Sequence, residues 1–417
     1  MVSYPGAESP PFRLSMLIYD RRYRSLTLQA VVFILAMLAA SWFINNTLQN
    51  LAALGKTLSF DFLFRRAGYD IPQQLIPYNS DDTHLRAAVV GLLNTLLVSF
   101  LGCITATILG VLAGVLRLSS NWLIARLMTV YVEIFRNIPL LLWILLILAI
   151  FSEVLPPPNA YRGDTPEAGM ILFETIAPTN RYTAIPSLGM TNSPGTLTFG
   201  RIGISWAFIT YAVAFVAAVL AHRLIRARAQ RVQDRTGIRP VTWWISLSIY
   251  LLPLLFLTWY FGLHLVPPAL RGFNFADGIN LDNSFVVLWL ALTLYTGAFI
   301  AEITRAGILA VSKGQSEAAF ALGLRPRRTM SLVVLPQALR VIVPPLISQY
   351  LNLTKNSSLA IAVGYMDLRG TLGGTTLNQT GREMECMVLM MAVYLVLCLG
   401  ISSGMNLFNS GVRLKER

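Results

Sequence analysis

About eight stretches of the chain are apolar and long enough to cross a bilayer: residues 25–45, 87–116, 122–155, 203–225, 241–264, 285–307, 337–358 and 387–408. A crossing helix needs roughly 20 such residues, so the pattern predicts a helical membrane protein with eight spans. Trp243 and Trp244 at one end of the fifth stretch, and Trp259 and Tyr260 at the other, sit where interfacial aromatic belts belong. In the second stretch Gly102, Gly110 and Gly114 lie on one helix face and predict close approach of a second helix. The polar segments at about 46–85 and 156–202 are rich in Pro and Gly, including Pro156, Pro157 and Pro158, and read as solvated connectors.

Composition agrees with the spans and excludes a soluble core. Of the 417 residues 55% are hydrophobic and 13% charged, against roughly 25% charged in an average soluble domain, and the mean hydropathy is +0.60. The net charge of +13 comes from basic residues scattered over alternate connectors. That is the signature of membrane topology and anionic lipid, and nucleic acid is not an expected partner. With the N-terminus inside, 21 of the 33 Lys and Arg fall on inner segments and ten on outer ones; Arg86 and Arg136 are left unassigned. Both termini are therefore expected in the cytoplasm. The first apolar stretch reads as a retained span rather than a removed signal peptide. Cys103, Cys386 and Cys398 make no disulfide framework or metal pattern.

One cytoplasmic stretch is unlike the rest. In "SEAAFALGLRPRRTMSLVVLP", Ser316 to Pro336, residues Gln315 to Leu322 predict a short helix with Ala318, Ala319 and Ala321 on its surface. Gly323 supplies the left-handed residue that ends a helix at little cost, and Pro326 suits the first turn of the next. The product is a bent helix pair with a smooth face and a basic rim of Arg325, Arg327 and Arg328, shaped to enter a groove on a soluble partner. The chain has no Gly-x-x-x-x-Gly-Lys-Ser/Thr stretch and no His-Glu-x-x-His, and His84, His222 and His264 are scattered. Nothing marks it as an enzyme.

Glu317-Ala318-Ala319, Gly323, then Val333, Leu335 and Pro336 resemble the Glu-Ala-Ala motif of integral membrane subunits of bacterial ATP-binding-cassette (ABC) importers, with Val333 in the usual isoleucine place. "YTGAFIAEITRAGI" (295–308), "LPQALRVIVPPLISQYLNLTKNSSLA" (335–360) and "GLLNTLLVS" (91–99) resemble the polar amino acid permease branch, in particular permeases of general L-amino acid systems. The resemblance covers about 87–155 and 285–408. It implies an all-α membrane fold holding a five-helix permease core within residues 87–408, with 156–202 and 222–240 as insertions. Residues 1–86 would form an N-terminal span with its outer loop, and 409–417 a cytoplasmic tail. It also implies the bacterial inner membrane, a separate ABC ATPase dimer that carries ATP and Mg, a second and non-identical permease, and a periplasmic amino-acid-binding protein. No cofactor is expected on this chain. The docking role falls to Glu317, Ala318, Ala319, Gly323, Leu324 and Arg325.

Other candidates keep two readings. Pro336, Pro344 and Pro345 either kink a helix around a cavity or bend it passively. Asn94 and Thr95 either line a path or bond the backbone. Asn352, Lys355, Asn356 and Ser357 form a polar break that suits the carboxylate and ammonium of an amino acid, or mark a span end where Lys355 snorkels into water. Glu133 with Arg136 and Glu302 with Arg305 sit three apart and can neutralise each other. An ion-coupled secondary amino acid transporter is the alternative function, for which carboxylates at mid-membrane and paired broken helices are expected.

Overall fold

The computed structural model describes residues 16–53, 55, 57–162, 166–199, 202–238 and 240–412. Residues 413–417 of the expected tail, and Arg13, Lys56, Arg201 and Arg239 of the charge count, lie outside them. The chain forms two units, divided between Phe60 and Asp61. The first contains α1 (Arg21–Ala53), long and apolar enough to span a membrane by itself. The second, the body, starts at Asp61 rather than at the expected 87, because Phe62 and Leu63 pack against Leu368, Leu372, Cys386 and Met390.

In the body α2 (His84–Leu116) is capped by Thr83, whose hydroxyl accepts from the Arg86 N–H. The stretch expected as one straight span, 122–155, is two helices, α3 (Trp122–Asn137) and α4 (Leu140–Glu153), bent by 108°. The bend lies at Ile138-Pro139. A residue before proline is pushed out of the helical region, and Ile138 is extended at φ −107°, ψ 134°. Phe135 and Trp143 stack across the corner with ring centroids 4.1 Å apart.

Next come β1 (Ala177–Pro178), β2 (Tyr182–Ile185), β3 (Ser187–Met190), β4 (Thr196–Phe199) and β5 (Ile202–Ser205). A hairpin follows, α5 (Trp206–Thr236) and α6 (Trp243–Tyr260), then β6 (Leu263–Val266), β7 (Ala269–Arg271), β8 (Asn274–Ala276) and β9 (Ile279–Asp282). These strands correct the reading of 156–202 as solvated connector. β9 pairs antiparallel with β2, Tyr182 opposite Asp282, and β6 with β3, Ser187 opposite Val266. The strands flanking the hairpin thus close on one another, so α5 and α6 leave and re-enter one face of the molecule. Asn283 ties this layer to the next helix, donating to the Thr179 carbonyl at 2.7 Å and accepting from the Thr183 hydroxyl.

That helix, α7 (Asn283–Leu309), is the axis of the fold, with two thirds of its span buried. It packs on α2 through the expected glycines. A Cβ at Gly110 would lie 2.6 Å from the Ile300 Cβ and 2.7 Å from the Gly297 carbonyl oxygen; one at Gly114 would lie 2.6 Å from the Ala301 oxygen. Val98, Ala106, Ile144, Leu288, Leu292, Ile300 and Leu353 close the core around it.

The chain then turns through α8 (Lys313–Ala321) and α9 (Pro326–Thr329) into α10 (Leu335–Asn356), and ends in α11 (Glu383–Val412). Counting crossings defines two faces. The strands, residues 61–83 and 357–382 share one, the loop face; α8 and α9 occupy the other, the elbow face. Arg117, just after α2, bonds Glu302 near the end of α7, whereas Tyr161, beyond α4, rings against Phe275 of β8. Among the described residues the bent pair α3–α4 therefore counts as one span, which gives the body seven candidate crossings, and α1 is an eighth candidate.

Candidate functional site

The elbow is built by local backbone chemistry. Ser312 is extended and opens α8. At its end Gly323 is left-handed at φ +77°, and the Leu324 N–H reaches back to the Ala319 carbonyl at 3.0 Å, the closing bond of a glycine-terminated helix. Arg325, ahead of a proline, is extended, and Pro326 begins α9. The helix expected over Gln315–Leu322 thus runs two residues earlier at its start and stops one residue earlier.

Ala319 faces inward at 4% exposure, while Glu317, Ala318, Ala321 and Gly323 are exposed and Leu322 stands 83% exposed. Leu324 is half-buried; Arg325, Arg327 and Arg328 rim the turn in solvent. Phe320 and Leu322 thus hold apolar side chains out into solvent on a glycine-closed turn. The Gln337 amide donates to the Gln315 side-chain carbonyl at 3.2 Å and fastens α8 to α10.

Pro336 does not break α10. Lacking an N–H, it instead accompanies a π turn over Met330–Val334, in which the Leu335 N–H bonds the Met330 carbonyl five residues back. Pro344 and Pro345 lie inside a continuous helix. They leave the carbonyls of Arg340 and Val341 without helical donors.

Behind the elbow, three helices meet on one carboxylate. Glu302 of α7 accepts hydrogen bonds from Arg117 at 2.5 Å and Arg305 at 3.2 Å, and forms an ion pair with Arg136 at 3.4 Å. The i, i+3 pair with Arg305 was legible in the sequence. Arg136, paired there with Glu133, reaches α7 instead, and lies 5.5 Å over the Phe299 ring. Sequence reasoning missed Arg117, whose side chain is 7% exposed, because it lies 185 residues away.

The path candidates separate into two groups. Asn94 and Thr95 are fully buried. Asn94 donates to the carbonyls of Gln73 and Met366, and the Thr95 hydroxyl accepts from the Leu368 N–H, so both hold the 366–371 segment. Ser357 is buried, and it and Thr95 lie against the Tyr394 hydroxyl, which donates to Asp367 at 3.3 Å. By contrast Asn352 and Lys355 are exposed and Asn356 is half-buried. With Val341, Pro344, Pro345 and Ser348 the two exposed residues form one stripe along α10, opposite the buried Ile342, Ile347 and Leu353. Asp367 was not picked out from the sequence. It is fully buried, accepts from the Gly370 N–H at 2.8 Å, and burial pushes its carboxyl up to about 6.

Seven candidate spans around a buried central helix, with an apolar elbow on one face, define a multi-span membrane protein. The model of the binding-protein-dependent transport system inner membrane component family matches residues 211–414. The glutamate/glutamine/aspartate/asparagine transport system permease protein BztB of Rhodobacter capsulatus is 58% identical, over 99% of both chains. The general L-amino acid transport system permease protein AapQ of Rhizobium johnstonii is 44% identical, over 97% of this chain and 96% of that one. The putative amino-acid ABC transporter permease protein YhdX of Escherichia coli K12 is 44% identical, over 94% and 96%. The chain belongs to the permease subunits of amino acid ABC transporters.

Proposed function

We propose that the elbow, α8 and α9, is the site at which this permease receives motion from a separate ATPase. The observation that carries this is an apolar turn exposing Ala318, Phe320, Ala321 and Leu322, with Ala319 turned inward, locked by the left-handed Gly323 on the face opposite the strands. Membership of an ABC family supplies the reason for such a partner, since this chain has no phosphate-binding loop of its own. In this reading the ATP and Mg sit on a pair of ATPase subunits. A second, non-identical permease completes the path, and a periplasmic binding protein delivers the amino acid to the loop face. The elbow face is cytoplasmic, in the bacterial inner membrane. Acidic amino acids and their amides are the proposed cargo, on the strength of the 58% identical relative's name.

The proposed path follows the exposed stripe of α10. Lys355 offers a cation to the substrate carboxylate, and Asn352 and Ser348 offer hydrogen bonds. The carbonyls that Pro344 and Pro345 leave free can accept from an ammonium group. Asn94 and Thr95 support the loop face rather than the path.

Substituting Gly323→Arg places a charged side chain on the docking turn and in a left-handed conformation that non-glycine residues adopt at a cost of roughly 1–2 kcal/mol. Glu317→Arg reverses a charge on the same surface. Both variants are expected to reach the membrane normally and to lose amino acid uptake by tenfold or more, on the scale of about 1.4 kcal/mol, with ATP hydrolysis no longer tied to transport. Undiminished uptake in both would remove the docking assignment.

A further inference from the structure

The α5–α6 hairpin packs on little besides itself, yet its far end carries a dense basic patch. Arg223, Arg226, Arg228, Arg231 and Arg235 occupy thirteen residues of α5 with a single acid, Asp234, among them. All five are exposed, and none forms an ion pair among the described residues. Arg228, Arg231 and Arg235 repeat at i, i+3 and i+7 and so share one face of the helix.

Their height in the membrane follows from the hairpin's own register. The Tyr211 hydroxyl lies 3.3 Å from that of Thr258, and the His222 and Tyr250 rings are 5.7 Å apart. Antiparallel helices matched at those two points place Trp243, the exposed aromatic that opens α6, level with about residue 227. An interfacial tryptophan marks the edge of the hydrocarbon. At about 1.5 Å per residue, Arg223 and Arg226 lie roughly 6 and 1.5 Å inside that edge, and Arg228, Arg231 and Arg235 lie roughly 1.5, 6 and 12 Å beyond it. The headgroup layer is roughly 5–7 Å deep on each side. Arg228 and Arg231 are thus rooted at the depth of the headgroups, and the long side chains of the other three bring their guanidinium groups within reach.

We propose that this end of α5 is a binding surface for anionic lipid headgroups, with the arginine stripe gathering phosphates around the hairpin. A purely topological charge acts only during insertion and needs no helical order. A phosphate surface needs these arginines on a folded helix at this height, which is what the register gives. Each arginine near an anionic surface multiplies affinity by about fivefold, so losing three weakens it by about a hundredfold.

The full chain is reconstituted in vesicles of phosphatidylcholine with and without phosphatidylglycerol, and retained lipids are counted by native mass spectrometry after extraction. The wild type is expected to retain phosphatidylglycerol in preference. The exposed-surface variant Arg228→Gln/Arg231→Gln/Arg235→Gln is expected to lose that preference on the order of a hundredfold. An equal preference in both proteins would overturn the proposal. Hydrogen exchange over residues 228–236 separates the sources. Slowing in phosphatidylglycerol vesicles alone supports the lipid surface. Slowing by inorganic phosphate in phosphatidylcholine overturns it in favour of a free anion, and slowing only on addition of the ATPase subunit overturns it in favour of a protein partner.

Discussion

At the residue scale, Asp367 shows how one buried carboxyl shapes the loop face. It lies between the spans, closed off by Tyr394 and the 357–382 segment, and burial raises it from the ordinary 3.8 to about 6. Its Gly370, Arg369 and Tyr394 partners favour the charged form but do not offset the loss of water. The folded state therefore holds this proton more tightly than the unfolded chain does. The stabilisation is complete below pH 4, declines as pH rises from about 4 to 6, and is gone above that. Comparing Asp367→Asn with the wild type isolates this group from the other carboxylates. Between pH 4 and 7 the wild-type thermal midpoint in detergent should fall by a few degrees relative to the variant. Parallel profiles would show that the carboxyl does not titrate in this window. Nothing in the sequence separated Asp367 from any loop aspartate, since it is enclosed by Tyr394 of α11 and by α2 at Gly91, both outside its own loop.

At the element scale, what was legible in the sequence was what the backbone decides locally. Gly323 and Pro326 fixed the elbow to within two residues, and Gly110 and Gly114 announced the α2–α7 contact. The Ile138-Pro139 corner carried an equally local signal, but it sat inside an unbroken apolar run that read as one span. The strands were illegible because each is four residues or fewer and its partner lies as much as a hundred residues away, as Tyr182 does from Asp282. The clasp on Glu302 has the same non-local origin, and it gives α7 its hold on α2 and α3 beside the elbow. Glu302→Gln leaves the nearly buried Arg117 without a counter-charge, at a cost of about 3–5 kcal/mol for a buried pair. The more exposed Arg136 and Arg305 add little. The double variant Glu302→Gln/Arg117→Gln should recover much of that loss in chemical unfolding. A double variant no more stable than the single one would mean that Arg117 is not the partner that matters.

For the whole molecule, the arrangement of faces determines how the permease sits in its membrane. Seven crossings carry the body from the loop face, at Asp61, to the elbow face at the end of α11. The strand layer cannot lie in hydrocarbon, because lipid offers no partners to its unpaired edges, and the elbow face gathers Arg117, Lys313, Arg325, Arg327, Arg328 and the arginines of α5. Short basic segments remain on the cytoplasmic side during insertion, so the strands should face outward and the elbow inward. With Cys103, Cys386 and Cys398 replaced, Leu188→Cys in β3 and Leu322→Cys in the elbow place single thiols at residues 65% and 83% exposed. In intact cells stripped of their outer membrane, a membrane-impermeant maleimide should label the first at once and the second only after permeabilisation. Labelling in the opposite order would invert the molecule and put the elbow out of reach of any cytoplasmic ATPase. Labelling of both from outside would instead mean that a crossing between them fails, since Leu188 and Leu322 are separated by the three spans α5, α6 and α7 and one missing crossing is enough to bring the two sites to the same side.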